Sequence, residues 1–438
     1  MKKALAAAFA AYLVLFAAAA NSYVWMAQVD WALWITVPVL LLINVLSGTL
    51  MLRGASKQLR ICHHGTLMLA VFAASVLISI VVQIFVLFLR IDLFVGSLLL
   101  CVGMHFLLFW NGIICVYLTS YQLGIRQRVI GAVCGMIPIV NVIVLGFMLL
   151  TLYREVLTEW EKARVNERRK NEQVCKTRYP ILLVHGVFFR DSKVMNYWGR
   201  IPEELERNGA VIYYGNHQSA AAVAHSAQEL TDRIKTIVRE TGCEKLNIIA
   251  HSKGGLDCRY AISLLDAAPY VASLTTVNTP HKGCMFADYL LQQIPDQVEN
   301  GVAKVYNATM QQLGDPNPDF LAAVYDLTAS ACTMLDAQMV TPPGIFCQSV
   351  GSVQKQARNG QFPLNYSYHL VKKFDGDNDG LVSVEAFPWG QQHTLLTTDQ
   401  KRGISHGDVV DLNRENLPGF DVREFYVNLV RDLKNRGL

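Results

Sequence analysis

Leu246-Asn247-Ile248-Ile249-Ala250-His251-Ser252-Lys253-Gly254-Gly255 is the segment that decides the fold of this 438-residue chain. It reads as a buried apolar strand that breaks at once into a helix, with a serine at the break. So sharp a turn strains the serine backbone and lifts its hydroxyl above the end of a sheet. Only small residues two positions to either side leave the chain room, and Ala250 and Gly254 stand there. The general pattern is G-x-S-x-G, with alanine here in place of the first glycine.

Outward from this elbow, apolar runs alternate with polar helical stretches. Expected strands are 181–187, 210–214, 246–250, 271–277 and 345–350, and expected helices include 226–241 and 254–265. Such alternation predicts an α/β domain, a mostly parallel sheet with helices on both faces. His185-Gly186 precedes the elbow, and an Asp and a His in turn-rich segments follow it.

The first third has a different character. Charged residues are 17% of the chain and hydrophobic ones 52%, and the apolar excess lies before residue 153. Apolar runs free of charge, or nearly so, occupy about 4–29, 31–52, 65–89, 93–119 and 129–152. Each reaches the ~20 residues that a helix needs to cross a ~30 Å hydrocarbon layer. The expectation is an all-α transmembrane bundle of about five helices over 1–152, with the first span uncleaved. Lys2, Lys3, Arg53, Lys57, Arg60, Arg126 and Arg128 mark one side as cytoplasmic, while Asp30, Arg90 and Asp92 lie in the other loops. Five crossings export the C-terminal domain. The basic stretch Arg154, Lys162, Arg164, Arg168, Arg169 and Lys170 cuts the other way.

Residues 153–177 mix acids and bases at helical spacing, as in Glu155 with Glu159 and Glu161 with Arg164, and read as a solvated stalk. A net charge of +4 and the mixed signs exclude nucleic acid as a partner. The ten cysteines show no C-x-x-C pair.

From Tyr179 onward the chain resembles the α/β-hydrolase lipases of the bacterial triacylglycerol lipase type. The matching residues are Tyr179-Pro180-Ile181-Leu182-Leu183-Val184-His185-Gly186, then Ala250-His251-Ser252-Lys253-Gly254-Gly255 with Arg259-Tyr260. Thr279-Pro280-His281-Lys282-Gly283, Asp379-Gly380-Leu381-Val382 and Ile404-Ser405-His406 follow in that order. The resemblance covers 178–438 and leaves the membrane half without a counterpart. It implies a lipid or other ester substrate beside the membrane itself.

Ester cleavage needs a nucleophile, a base, an acid to orient the base, and donors for the oxyanion. Ser252 is the expected nucleophile. In this fold the acid and then the histidine follow it, which selects Asp379 and, among His281, His369, His393 and His406, the last. The expected oxyanion donors are the amides of Val187 and Lys253, supported by His185, Gly186 and His251. No cofactor is required. Asp375, Asp377, Asp379 and Gly380 imitate the first half of a calcium loop, but Ala386 stands at the twelfth position and Glu385 one residue early. The resemblance also leaves room for a structural calcium at Asp408, while Asp411 reads as a helix-start residue. Residues 284–340, with Phe286, Tyr289, Leu290, Leu291 and Pro295, read as a lid whose apolar face meets lipid. An acyltransferase or thioesterase with the same triad, and a non-catalytic membrane scaffold, are the other expected classes.

Overall fold

The computed structural model describes residues 2–438 apart from 27–31, 47–51, 53–54, 136, 138, 188–195, 294–302, 305, 310, 313–316 and 358–363. Asp30, Arg53 and Pro295, each invoked above, lie outside the described residues. The chain divides into two compact units, Met1–Arg168 and Arg169–Leu438.

Among its described residues the first unit forms helices and no strand. Among the described residues four helices are long and apolar enough to cross a membrane: Lys3–Ala20, Lys57–Leu89, Ile91–Thr119 and Val140–Glu172. The second apolar run forms a helix over Ala32–Leu46, 15 residues with Pro38 inside. Residues 27–31 and 47–51, on either side of it, lie outside the described residues. The fifth run is split, with one helix at Gly124–Cys134 and the next starting only at Val140. Large apolar side chains such as Trp34, Phe88 and Leu118 face outward. Polar ones turn inward and pair. Gln83 Nε2 donates to Asn21 Oδ1 at 3.1 Å and to Ser97 Oγ at 2.9 Å, so these buried polar groups meet one another.

The charged stalk continues the last long apolar helix, since one helix runs from Val140 to Arg169. Glu155, expected in solvent, is buried. Its carboxylate accepts from Ser120 Oγ at 2.5 Å and from the Tyr121 amide at 2.8 Å. These bonds meet two donors in the turn that follows helix Ile91–Thr119.

The second unit is built on a six-stranded parallel sheet: β1 Ile181–Val184, β2 Ile212–Tyr214, β3 Leu246–His251, β4 Val271–Val277, β5 Phe346–Ser352 and β6 Gln392–Leu396. The strand order is β2-β1-β3-β4-β5-β6. Strand residues alternate between faces. Ile181 and Leu183 of β1 therefore join a core with Trp198, Leu205, Tyr426 and Val430. Leu182 and Val184 join the opposite core with Leu230, Ile234, Ala261 and Ile262. The first face is covered by helices Ile201–Arg207 and Val422–Asn435, the second by Val223–Thr241 and Lys253–Leu264. In Val223–Thr241 the buried positions 223, 226, 227, 230, 231, 234 and 237 form one helical stripe.

After β1 the chain moves outward to β2, then returns to the other side of β1 as β3. The carboxyl ends of β1 and β3 thus flank a crevice at the point where the winding reverses, where such sheets bind ligands. His185-Gly186 leaves one lip and Ser252 the other.

Candidate active site

Ser252 caps helix Lys253–Leu264 with φ 55° and ψ −132°, a conformation that costs a non-glycine residue about 1–3 kcal/mol. The tight crossing of β1 and the elbow explains the flanking glycines. A Cβ on Gly254 would fall 2.3 Å from the carbonyl oxygen of His185, and one on Gly186 would fall 2.8 Å from Ser252 Cβ. Thr279 Oγ1, from the end of β4, donates to the Ser252 carbonyl at 2.8 Å and holds the elbow from the far side.

Asp379 and His406 meet. His406 Nδ1 donates to Asp379 Oδ2 at 2.6 Å, and the His406 amide donates to the Asp379 carbonyl at 2.8 Å. Asp379 is fully buried. Its Oδ1 accepts from the amides of Leu381 at 2.9 Å and Val382 at 2.8 Å. Asn278 Nδ2 donates to Oδ2 at 2.7 Å. Four donors on one carboxylate fix its orientation and leave no choice of rotamer.

The segment around His406 is pinned, contrary to its glycine-rich sequence, and the histidine itself is buried. His251 Nε2 lies 3.2 Å from the His406 carbonyl oxygen, and Tyr197 Oη lies 2.6 Å from His251 Nδ1. A carbonyl can only accept, so Nε2 carries the hydrogen and Nδ1 accepts from Tyr197. Burial, with His406 nearby, pushes the His251 pKa well below its usual range, so the ring is neutral and that tautomer persists. The residue next to Ser252 therefore fixes the backbone of His406. Among the described residues Ser252 Oγ and His406 share no hydrogen bond; such contacts are often long in unliganded enzymes and tighten around substrate.

Val187 and Lys253 are both buried. Among the described residues neither backbone amide has an acceptor. Two buried amides without partners at the mouth of the crevice are donors free to meet a negative oxygen. His185 packs under this loop, stacked on His217 at 4.1 Å, with Nδ1 2.9 Å from the Gly186 oxygen.

His281 and His393 are engaged elsewhere. His281 Nε2 lies 2.9 Å from Thr276 Oγ1 and its Nδ1 3.1 Å from Arg259 Nη1. His393, on the edge strand β6, lies 2.9 Å from Ser349 Oγ through Nδ1.

The Lys253 side chain has a separate task. Its Nζ, almost wholly buried, donates to Asp257 Oδ1 at 2.7 Å and to Ser226 Oγ at 3.0 Å, with His217 Nε2 3.6 Å from Asp257 Oδ2. Burial raises the Asp257 pKa to about 6 in spite of Lys253. Lys253→Met would strand this carboxylate and is expected to cost about 3–5 kcal/mol. Chemical denaturation checks this, and Lys253→Met with Asp257→Leu should recover much of the loss.

Calcium does not fit the acids proposed for it. Both carboxylate oxygens of Asp375 accept amides, Met285 at 2.9 Å and Phe286 at 3.0 Å. Asp377 pairs with Lys372, and Asp379 is spent on its four donors. Asp408 Oδ1 accepts from Arg402 Nη2 at 3.0 Å and Oδ2 from the Ser405 amide at 2.9 Å. Among the described residues no group of three or more His, Cys, Asp or Glu is arranged to hold a metal. Asp411 is no helix-start residue. It takes a bidentate bond from Arg200, Nη2 to Oδ1 at 2.7 Å and Nε to Oδ2 at 2.8 Å.

In the expected lid, Phe286 turns inward to Val371, Val382 and Phe387, while Met285 and Tyr289 of helix Met285–Gln293 are exposed. The Leu290 side chain lies outside the described residues. All ten cysteines are free thiols.

The family model described as palmitoyl protein thioesterase matches residues 180–317. The chain is 35% identical over 232 residues to a triacylglycerol lipase of Vibrio cholerae, covering 48% of this chain and 73% of that one. Over 166 residues it is 34% identical to triacylglycerol lipases of Pseudarthrobacter phenanthrenivorans and Burkholderia plantarii, covering 35% of this chain. It spans about half the length of those two relatives, 51% and 46%. Among solved structures, the lipase of Staphylococcus hyicus aligns at 17% identity with a TM-score of 0.48, covering 60% of this chain and 97% of that one.

Proposed function

Since the chain belongs to the triacylglycerol lipase family, we propose that it is a membrane-anchored serine hydrolase cleaving carboxylic esters, those of lipids foremost. Ser252 Oγ attacks the acyl carbon while His406 takes its proton. Asp379 holds the imidazole with Nδ1 protonated, so that Nε2 faces the serine, and stabilises the imidazolium that forms. The amides of Val187 and Lys253 receive the oxyanion. His406 then returns the proton to the leaving alcohol. Water, activated by the same histidine, cleaves the acyl-serine and releases the acid.

The observation that carries this reading is the 2.6 Å bond from His406 to the fully engaged Asp379 carboxylate, with the His406 ring 4.5 Å from that of His251, the residue before the strained serine. The apolar helices support a membrane anchor, so the substrate is expected to arrive through the bilayer. With five crossings, Ala32–Leu46 included, the catalytic unit lies outside the cytoplasm.

The match to the palmitoyl protein thioesterase model favours one second reading, a thioester substrate for the same residues. Transfer of the acyl group to an alcohol in place of water uses the same intermediate.

The test is labelling of the purified protein with a fluorophosphonate, followed by peptide mapping. The expected adduct sits on Ser252, and folded protein left unlabelled would end the proposal. Oxoesters and thioesters of matched chain length, with and without an added alcohol, then rank the three reactions. On sealed cells an impermeant probe is expected to label; labelling only after lysis would place the unit in the cytoplasm.

A further inference from the structure

The segment that carries His406 is short, rich in glycine and remote in sequence from Ser252, yet it is held on both sides by guanidinium groups. Gly403 pairs with Gln354 just beyond β5, the Lys355 amide donates to the Arg402 carbonyl at 3.1 Å, and the Ile404 amide to Val353 at 2.8 Å. Arg402 therefore springs from a rigid base. Its guanidinium reaches across the turn, Nη2 to Asp408 Oδ1 at 3.0 Å and Nη1 to Glu415 Oε2 at 2.9 Å. The other Asp408 oxygen takes the Ser405 amide at 2.9 Å. One carboxylate thus joins Arg402 to the residue immediately before His406. Beyond it Arg200 grips Asp411 with two bonds and Asn416 Oδ1 at 2.8 Å.

The chemistry of this cluster is that of a small cation site. Two acids, Asp408 and Glu415, converge on one positive centre. A divalent ion would need six to eight oxygens at about 2.3–2.6 Å. Here the centre is a planar fork, and its geometry suits carboxylates two at a time. The resemblance leaves room for a structural calcium at Asp408, but the donors present fit a guanidinium instead.

We propose that Arg402 is a built-in substitute for a structural metal ion, a positioning residue that holds His406 over Ser252 through Asp408. The proposal rests on His406 being the base. It makes catalysis independent of calcium and dependent on one arginine that touches no substrate.

The experiment uses the full-length protein in detergent. Wild type is dialysed against EDTA and then given millimolar calcium chloride; kcat on a p-nitrophenyl ester and the melting temperature should not change. Arg402→Ala should lose about 10–100-fold in kcat, the range typical of partners that orient a reacting group from behind, with KM nearly unaltered. Added guanidinium ion at low concentration should restore part of that loss, since the vacated fork site remains. A wild type that loses turnover with EDTA and regains it with calcium overturns the proposal. So does an Arg402→Ala protein with the kcat of wild type, or one that guanidinium leaves unimproved. If Arg402→Ala does not fold, the EDTA arm still decides. Failure of the underlying base assignment shows separately, as undiminished fluorophosphonate labelling of Ser252 in His406→Ala.

Discussion

Ser252→Ala is expected to lower kcat on a simple ester by roughly 10⁶-fold, about what removal of the nucleophile costs when a triad acts as a unit. The protein should remain folded. The side chain accepts no cap bond from its own helix, and the elbow is held by Thr279 and the two flanking glycines. Unchanged far-ultraviolet circular dichroism and melting temperature would separate lost chemistry from lost structure. A residual rate of about 10³–10⁴ over water should survive, supplied by the oxyanion donors and by substrate binding. Retention of more than a few per cent of wild-type turnover would move the nucleophile elsewhere and remove the mechanism proposed above. His406→Ala should cost a similar amount, because a serine without its base is a weak nucleophile at neutral pH.

Asp379→Asn is expected to cost about 10⁴-fold in kcat, and it should also destabilise the protein. The carboxylate meets four donors: the amides of Leu381 and Val382, Asn278 Nδ2 and His406 Nδ1. An asparagine presents one oxygen and one NH2 group. Whichever way it flips, two donors confront an NH2 instead of an acceptor. If the NH2 faces His406, the ring turns to its other tautomer, with Nδ1 accepting and Nε2 protonated, and can no longer take the serine proton. If the NH2 faces the two amides, each buried donor left unmet costs about 1–3 kcal/mol. Turnover measured beside denaturant unfolding distinguishes the two arrangements. A variant near wild type in both would remove Asp379 from the mechanism.

Strands β1, β3 and β4 were legible because they are buried on both faces and mostly apolar, broken only by Asn247 and His251 in β3 and by Ser273, Thr275 and Thr276 in β4. Strand β6 was not recognised. Its residues Gln392-His393-Thr394-Leu395-Leu396 form a largely exposed edge, so no core imposes an apolar pattern on them. The fifth apolar run concealed the interruption before Val140 for a related reason. Hydropathy reports the medium a segment sits in and says little about where its backbone breaks. Glu155 was misjudged because helical spacing alone cannot reveal that Ser120 and Tyr121 offer it two donors from another helix.

The site divides along the same line. Ser252 was evident locally, since a strand that turns into a helix within one residue needs small neighbours beside it. Asp379 and His406 followed from their order along the chain. Asn278, Tyr197, Arg200 and Arg402 were overlooked. Asn278 ends β4 and reaches Asp379 across 101 positions, and Arg200 reaches Asp411 across 211; neither pairing leaves a trace in either neighbourhood.

The amino-acid order by itself determined an apolar helical part set apart from a mixed one, a parallel sheet, and the elbow that presents a serine. Those features come from short-range sterics and from the partition of side chains between water, lipid and core, which act residue by residue. Which acid meets which histidine, and which cation steadies the turn between them, was decided only when distant segments packed. Charge pairing depends on separation in space, and packing brings His406 2.6 Å from Asp379 across 27 positions and Arg200 2.7 Å from Asp411 across 211.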